Sequence, residues 1–148
     1  ITMNVELMKR MMDACYLAKR ARDLLPTLPN GVTSSHVHYL DTIRKLELKT
    51  DSVRVSDISD KLGLPKPGVT KTVKEMEKLG LVEKHADKTD GRVVFLKITA
   101  AGNALLDEYV DELFGKLSRE LGDVSDEDAD AMIETVEKLY RVMRKRAE

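Results

Sequence analysis

Apolar side chains recur at helical spacing along the first 25 residues of the chain. This stripe predicts a helix over residues 4–25, and its members are Met8, Met11, Met12, Cys15 and Ala18. Pro26 and Pro29 stop the helix, because proline removes a backbone donor. A second helix is predicted from Thr33, as its N-cap, to about Thr50. Its inward positions are Val37, Leu40, Ile43 and Leu46.

Two shorter helices are predicted next, joined by a tight turn at Gly63. The first has Ser56 as its N-cap, and the second opens near Pro67 and runs to about Leu79. The apolar side of the second helix is formed by Val69, Val73 and Met76. Its polar side is formed by Thr70, Lys71, Lys74 and Lys78. Two short helices joined by a glycine turn are typical of a helix-turn-helix.

Beyond Gly80 the apolar period changes from helical to alternating. Residues 81–86 and 92–98 predict two strands, and Asp90-Gly91 between them predicts a hairpin turn. A hairpin directly after a helix-turn-helix is expected to form a wing.

Two long helices complete the predicted pattern. Thr99 is the expected N-cap of a helix that reaches about Leu121, and Ser125 is the expected N-cap of a last helix, with Asp128 in a capping-box position. The predicted fold class is mainly α with a small β-wing. It is a winged helix-turn-helix flanked by N-terminal and C-terminal helices.

The charge balance of the 148 residues is misleading as an average. Lys and Arg number 25 against 26 Asp and Glu, and a net charge of −1 argues against a nucleic-acid partner. By segment, however, residues 53–98 hold ten basic and seven acidic side chains, whereas residues 99–148 hold seven basic and thirteen acidic ones. Salt screens charges over about 8–10 Å, so a partner responds to the local basic segment and not to the sum.

Several classes of protein are disfavoured by what the sequence lacks. No apolar run approaches the roughly 20 residues of a membrane span, so no membrane partner is expected. The N-terminus lacks a continuous apolar segment, so we expect no signal peptide. A single Cys excludes an internal disulfide and favours a cytoplasmic location. Phosphate loops, nucleophile elbows and metal-ligand spacings are missing, so we expect no enzyme, no cofactor and no metal site.

The helix-turn-helix and wing have a direct physical interpretation. The second short helix offers its N-terminal amides and lysine face to phosphates and the major groove. Lys88 and Arg92 at the hairpin tip are placed for the neighbouring minor groove, where the negative potential is concentrated. Two alternatives remain open: the lysines form an ordinary solvated helix face, or the winged helix is a protein-interaction module without DNA binding.

The stretch from Val55 to Gly102 resembles the multiple antibiotic resistance regulator (MarR) family. The residues that match the family pattern around the second short helix are Gly68-Val69-Thr70-Lys71, Val73, Met76-Glu77, Gly80-Leu81-Val82 and Lys84. Those that match its wing are Asp87, Asp90, Arg92, Val94, Leu96, Ile98-Thr99 and Gly102. The chain departs from the pattern at Lys71 and Lys84, where Arg is commoner, and at Gly91, which replaces a frequent basic residue.

The resemblance implies a ligand-responsive transcriptional regulator, a repressor, that binds pseudo-palindromic double-stranded DNA as a homodimer. Arg92 would enter the minor groove with Asp90 bracing it, Thr70 and Lys71 would meet the major groove, and Ser56 would meet a phosphate. The full expected DNA-binding set is Ser56, Lys66, Pro67, Gly68, Thr70, Lys71, Lys74, Lys88, Asp90 and Arg92.

Three regions are expected within one compact protomer. Residues 1–32 form an N-terminal dimerisation helix, residues 33–98 form the winged helix-turn-helix DNA-binding region, and residues 99–148 form C-terminal dimerisation helices. The terminal helices carry more apolar stripe than the DNA-binding region can cover. We therefore expect a second copy of the chain to bury it.

The resemblance also implies a small aromatic or anionic effector bound between the dimerisation and DNA-binding regions. The candidate ligand-binding residues are Met12, Cys15, His36 and Tyr39. Plain core packing is the alternative for the methionines. Some relatives sense organic peroxides through a Cys in the first helix, but the accompanying Tyr positions are Lys19 and Pro29 here. A redox-sensing regulator based on Cys15 therefore stays an alternative to a structural Cys.

Overall fold

The computed structural model describes residues 1–148 and divides into two compact units, Ile1–Ser34 and Ser35–Glu148. The first unit contains helix α1, Val5–Asp23. The remaining elements, in chain order, are α2 (Ser34–Glu47), α3 (Val55–Leu62), α4 (Lys66–Lys78), β1 (Val82–Ala86), β2 (Val94–Ile98), α5 (Ala100–Leu106), a π-helical segment (Asp107–Glu112), α6 (Leu113–Glu120) and α7 (Asp126–Arg146). The predicted class, mainly helical with one two-stranded wing, is confirmed.

Helix α1 begins where Asn4 caps it. The Asn4 side-chain oxygen accepts a hydrogen bond from the Leu7 backbone amide at 2.8 Å, which satisfies one of the free donors of the first turn. No residue of α1 is buried. The predicted stripe is only half-covered at Met8, Met11 and Cys15, and Met12 is exposed.

The core of the second unit lies between α2, the helix-turn-helix and the wing. Five of the predicted inward side chains are buried there, Leu40, Ile43, Val69, Val73 and Met76, and Ile58 of α3 is buried with them. The buried set extends to Leu96 of β2 and to Leu105 and Leu106 of α5. Helices α3 and α4 pack on each other, and α4 packs on β1, so the core fixes α4 against the wing.

The start of α3 differs from the sequence prediction. Ser56 is not the N-cap, because α3 begins at Val55 and its N-cap is Arg54. The side chain of Asp57, at the third helical position, accepts a hydrogen bond from the Arg54 backbone amide at 2.8 Å, which is the reciprocal half of a capping box. Ser56 lies half-buried in the first turn of the helix.

The wing hairpin has a longer loop than predicted. Strands β1 and β2 pair antiparallel with Val82 opposite Ile98, and the second strand begins at Val94, not at residue 92. The loop is closed by two hydrogen bonds, Asp87 N to Val93 O and Val93 N to Asp90 O, both 2.9 Å. Gly91 lacks a positive φ, so the loop does not use the conformation expected of a two-residue Asp-Gly hairpin turn.

Gly102 allows the first turn of α5 to approach the segment between α4 and β1 closely. Thr99 caps α5 by accepting a hydrogen bond from the Gly102 amide at 3.1 Å, and its hydroxyl donates to the Gly80 carbonyl at 2.6 Å. A Cβ on Gly102 would lie 2.4 Å from the Leu81 carbonyl oxygen and 2.7 Å from the Ile98 side chain. Only glycine fits this contact without backbone movement.

Replacement of Gly102 by alanine is therefore expected to destabilise the fold by about 1–3 kcal/mol through overpacking. Urea unfolding followed by circular dichroism measures this loss. The matched control is Gly68→Ala, since a Cβ at Gly68 meets no atom within 4 Å. The control should be neutral or stabilising by up to about 1 kcal/mol. Equal stability of the two variants would contradict the close approach at Gly102.

Candidate nucleic-acid interface

Helix α4 presents its N-terminus and one face to solvent. Pro65 is the N-cap, and Lys66, Pro67 and Gly68 of the first turn are all exposed. The first amides of a helix have no intrahelical acceptor and carry the positive end of the helix dipole. This end of α4 therefore offers backbone donors and one lysine to an anionic partner.

The outer face of α4 carries positive charge that no acid neutralises. Lys71 and Lys74 are exposed and take part in no ion pair, and Thr70 beside them is half-buried. The opposite face holds the helix in the core through Val69 and Val73. The sequence prediction of two faces on this helix is thus confirmed, and the lysines are free to meet phosphates.

The wing tip presents an arginine that is held in place from one side. The Arg92 side chain is 93% exposed, and its Nε donates to Asp90 Oδ1 at 3.2 Å. The Arg92 backbone amide donates to the same oxygen at 3.1 Å. The carboxylate thus orients the base of the guanidinium while its outer nitrogens stay in solvent.

Asp87 shapes the same loop, although it was not among the predicted site residues. It accepts hydrogen bonds from the Thr89 backbone amide at 3.1 Å and from the Thr89 hydroxyl at 3.0 Å. These bonds lower the pKa of the Asp87 carboxyl below its usual value. The signal was present in the sequence, because an aspartate in a loop is typical of an Asx turn, in which its side chain accepts from the backbone amide two residues on. Lys88 lies exposed inside this turn.

The structure places the predicted DNA-binding residues on one unit. Ser56 lies on α3, and Lys88, Asp90 and Arg92 lie in the wing loop. The other six lie on α4: Lys66, Pro67, Gly68, Thr70, Lys71 and Lys74. Because α4 packs on both α3 and β1, the three groups are carried by one packed body. Their contact with DNA remains a prediction.

The predicted ligand-binding residues are divided between the two units. Met12 and Cys15 lie on α1, whereas His36 and Tyr39 lie on α2 and are buried. The His36 ring Nε2 is 3.1 Å from Glu75 Oε2 on α4, so this histidine connects α2 with the helix that carries the lysine face. Sequence reasoning did not find Glu75 as its partner. That the four residues line one site remains a prediction.

Much of the apolar surface of α6 and α7 is uncovered. Neither helix has a buried residue. Their exposed large apolar side chains are Phe114, Met132, Ile133, Val136, Tyr140, Val142 and Met143. On α7, Ile133, Val136 and Tyr140 recur at helical spacing and form one stripe. Contiguous apolar surface on this scale is typical of a protein interface.

The structure contains neither a metal-binding cluster nor a membrane-spanning helix. No group of three or more His, Cys, Asp or Glu side chains is arranged to hold a metal ion. No helix combines the length and apolar character needed to cross a membrane.

A sequence model described as "MarR family" matches residues 30–93. Among solved structures, the chain is similar to FabT of Streptococcus pneumoniae in complex with DNA, with 19% identity, TM-score 0.67, and coverage of 96% of this chain and 99% of that one. It is similar to a MarR family protein of Bacillus stearothermophilus, with 24% identity, TM-score 0.58 and coverage of 97% and 99%. It is also similar to the PcaV transcriptional regulator of Streptomyces coelicolor in complex with its natural ligand, with 16% identity, TM-score 0.60 and coverage of 95% and 97%. These likenesses show the fold.

Proposed function

We propose that the protein is a ligand-responsive transcriptional regulator that binds double-stranded DNA, and the match of a MarR family model to residues 30–93 supports this proposal. The family consists of transcription regulators and not of enzymes. One observation carries the proposal: the exposed guanidinium of Arg92 is oriented by Asp90 on the same body that exposes the unpaired lysines of α4.

The chemistry of each contact follows from the side chains. Helix α4 enters the major groove with its N-terminal turn against a phosphate, and Lys71 and Lys74 neutralise the backbone. A lysine is a point charge and does not make the bidentate contact that arginine makes with guanine. Thr70 therefore has the larger part in reading bases from α4, and Arg92 reads the width of the minor groove.

The protein acts as a homodimer in this proposal. The uncovered stripes of α6 and α7, together with α1, are apolar surface that a second copy would bury. A two-fold dimer presents two copies of α4 about one helical turn of DNA apart, which matches a pseudo-palindromic operator. The acidic excess of residues 99–148 would keep DNA away from the dimerisation helices.

A small aromatic or anionic effector regulates the DNA affinity. Support comes from the solved structure of PcaV with its natural ligand, a protein of the same fold. Met12, Cys15, His36 and Tyr39 are the residues proposed to contact the effector. The effector binds more tightly to a dimer conformation in which the two DNA-binding regions do not match the half-site spacing, and it thereby lowers the affinity for DNA. The protein then acts as a repressor that leaves its operator when the effector binds.

Separate regions of the chain carry dimerisation and DNA binding in this proposal. Residues 1–32 and 99–148 form the dimerisation helices, and residues 33–98 form the DNA-binding region. A regulator of this kind works on the chromosome, so its proposed location is the cytoplasm. Fractionation of cells that make the protein tests this location.

Titration of labelled duplex DNA with the full chain at increasing salt tests the DNA-binding proposal. Retention of duplex at low salt and its loss as salt rises is the expected result. Failure to retain any duplex at low salt would contradict it.

A further inference from the structure

The helix that leads from the DNA-binding region into the C-terminal helices is interrupted by a π-helical segment. This segment, Asp107–Glu112, lies between α5 and α6 without a break in the helical path. Single π-helical turns are rare, and each accommodates one extra residue compared with an α-helix. Conversion of such a turn to α-helix would rotate everything after it by about 100°, the angle of one residue. The relation of α6 and α7 to the DNA-binding region therefore depends on this segment.

Arg44 of α2 holds the π-helical segment from the side. Its Nη1 and Nη2 donate to the two carboxylate oxygens of Asp111, each at 3.0 Å. Its Nη1 also lies 4.0 Å from Asp107 Oδ1, one turn earlier. The hydrogen bonds from Arg44 lower the pKa of the Asp111 carboxyl, which favours its ionised form. A planar guanidinium bonded to both oxygens fixes orientation as well as distance.

Arg44 is itself oriented within α2. Asp41, one turn before it, accepts from Arg44 Nη2 at 3.3 Å and also lies 3.2 Å from Lys45 Nζ. The side chain of Arg44 is therefore held between an acid on its own helix and an acid on the π-helical segment. These contacts fix the orientation of the Arg44 guanidinium.

Helix α2 joins two functional parts of the molecule through its ends. Near its start, His36 contacts Glu75 of α4 at 3.1 Å, and eight residues later Arg44 contacts Asp111. Eight residues of α-helix span about 12 Å. The other connection is at Thr99, which bonds α5 to the end of α4. Helix α4 is thus connected to the start of α5 by Thr99, and to the π-helical segment by the contacts of α2.

We propose that Arg44 is a positioning residue for DNA recognition: through Asp111 it fixes the π-helical segment, and thereby the distance between the two copies of α4 in the dimer. This role rests on the proposed function. Arg44 touches no DNA in it. Its effect is on which half-site spacing the dimer accepts, and not on the contacts within a half-site.

The pair is suited to such a role because it contributes little to stability. Asp111 is about half exposed, with a side-chain exposure of 53%, and exposed ion pairs stabilise folds only weakly. Variants of this pair should therefore fold and melt close to the wild type. A change in spacing preference can then be separated from a loss of structure.

The test uses the full chain and an operator that the wild type selects from a random duplex library. Affinities are measured for this operator and for versions with its half-sites moved apart or together by two base pairs. For the wild type the selected spacing binds best. The measured quantity is the affinity for the selected spacing divided by the affinity for an altered spacing. For Arg44→Gln and for Asp111→Asn, this affinity ratio should fall about fivefold, which is within the usual range of a coupling between sites. The double variant should fall no further, because both changes remove the same contact.

Matched controls carry the same charge changes without the contact. Lys49→Gln removes one positive charge just beyond the end of α2, from an exposed lysine that forms no ion pair, and Glu112→Gln removes one negative charge from the π-helical segment. Both should keep the wild-type spacing ratio. Arg44→Lys, which retains the charge without the planar pair of donors, replaces Arg44→Gln if that variant does not fold.

The outcomes separate this inference from the proposed function. A wild-type chain that selects no duplex shows both to be wrong. If the wild type binds DNA but the variants lose affinity equally for all spacings, or behave like their controls, the role of Arg44 is wrong and the proposed function stands. A flattened spacing preference in both single variants and their double, with unchanged controls, supports it.

Discussion

Val136→Glu is expected to convert the protein to a monomer at micromolar concentration and to weaken operator binding by a factor of about 100 or more. Val136 lies in the exposed stripe of α7 with Ile133 and Tyr140. A carboxylate there would have to be buried without a partner in the interface, which is strongly unfavourable. The monomer then loses the high effective concentration of its second DNA-binding region, which is worth about 10²–10⁴ in affinity.

Val142→Glu is the matched control for this change. It makes the same substitution on the same helix, and Val142 is exposed to a similar degree. It lies about 120° around the helix from Val136, outside the stripe. Light scattering should show a dimer for Val142→Glu and a monomer for Val136→Glu. Loss of the dimer in both, or in neither, would contradict the assignment of this stripe to the interface.

Arg92→Ala is expected to weaken binding to the selected operator by about 10- to 100-fold, since one specific arginine contact contributes about 1–3 kcal/mol. The fold should be unaffected, because the Arg92 side chain is 93% exposed. Fluorescence anisotropy with labelled operator measures the change. Lys97→Ala is the control, as it removes one positive charge from the wing strand at a distance from the tip loop. Equal affinities for Arg92→Ala and wild type would rule out the wing contact.

Asp90→Asn separates the orientation of Arg92 from its charge. Removing a negative charge near DNA should by itself strengthen binding, whereas losing the charge-assisted bond to Arg92 Nε should weaken it. We expect net weakening, smaller than that of Arg92→Ala. Tighter binding of Asp90→Asn would show that Asp90 does not orient the guanidinium for DNA.

Patterns within a single element were predictable from the sequence. The two faces of α4 are one example: Val69, Val73 and Met76 are buried while Lys71 and Lys74 are exposed, as their spacing indicated. Helical periodicity reports which side of an element meets the core, and this information is local. The cap of α5 at Thr99 was found for the same reason, since a cap and its amide partner are three residues apart.

Contacts between elements were not predictable in this way. Arg44 and Asp111 are 67 residues apart, and His36 and Glu75 are 39 apart, so no spacing rule connects them. The π-helical segment also gave no signal. Leu105, Tyr109 and Leu113 follow at helical spacing, and the pattern therefore predicted an uninterrupted α-helix. The start of α3 was predicted wrongly because its N-cap is Arg54, a residue type that is not a usual N-cap, and Ser56 lies inside the first turn.

We propose that this chain, whose net charge is −1, nevertheless binds DNA through a local basic surface. The salt dependence of duplex binding tests it most directly, because each neutralised phosphate adds about −0.9 to the slope of log affinity against log salt concentration. The exposed cations among the proposed DNA-contacting residues of one protomer are Lys66, Lys71, Lys74, Lys88 and Arg92. A dimer that engages about half of its two sets should give a slope steeper than about −4. A slope near zero, or no duplex retained at about 50 mM salt, would contradict the account.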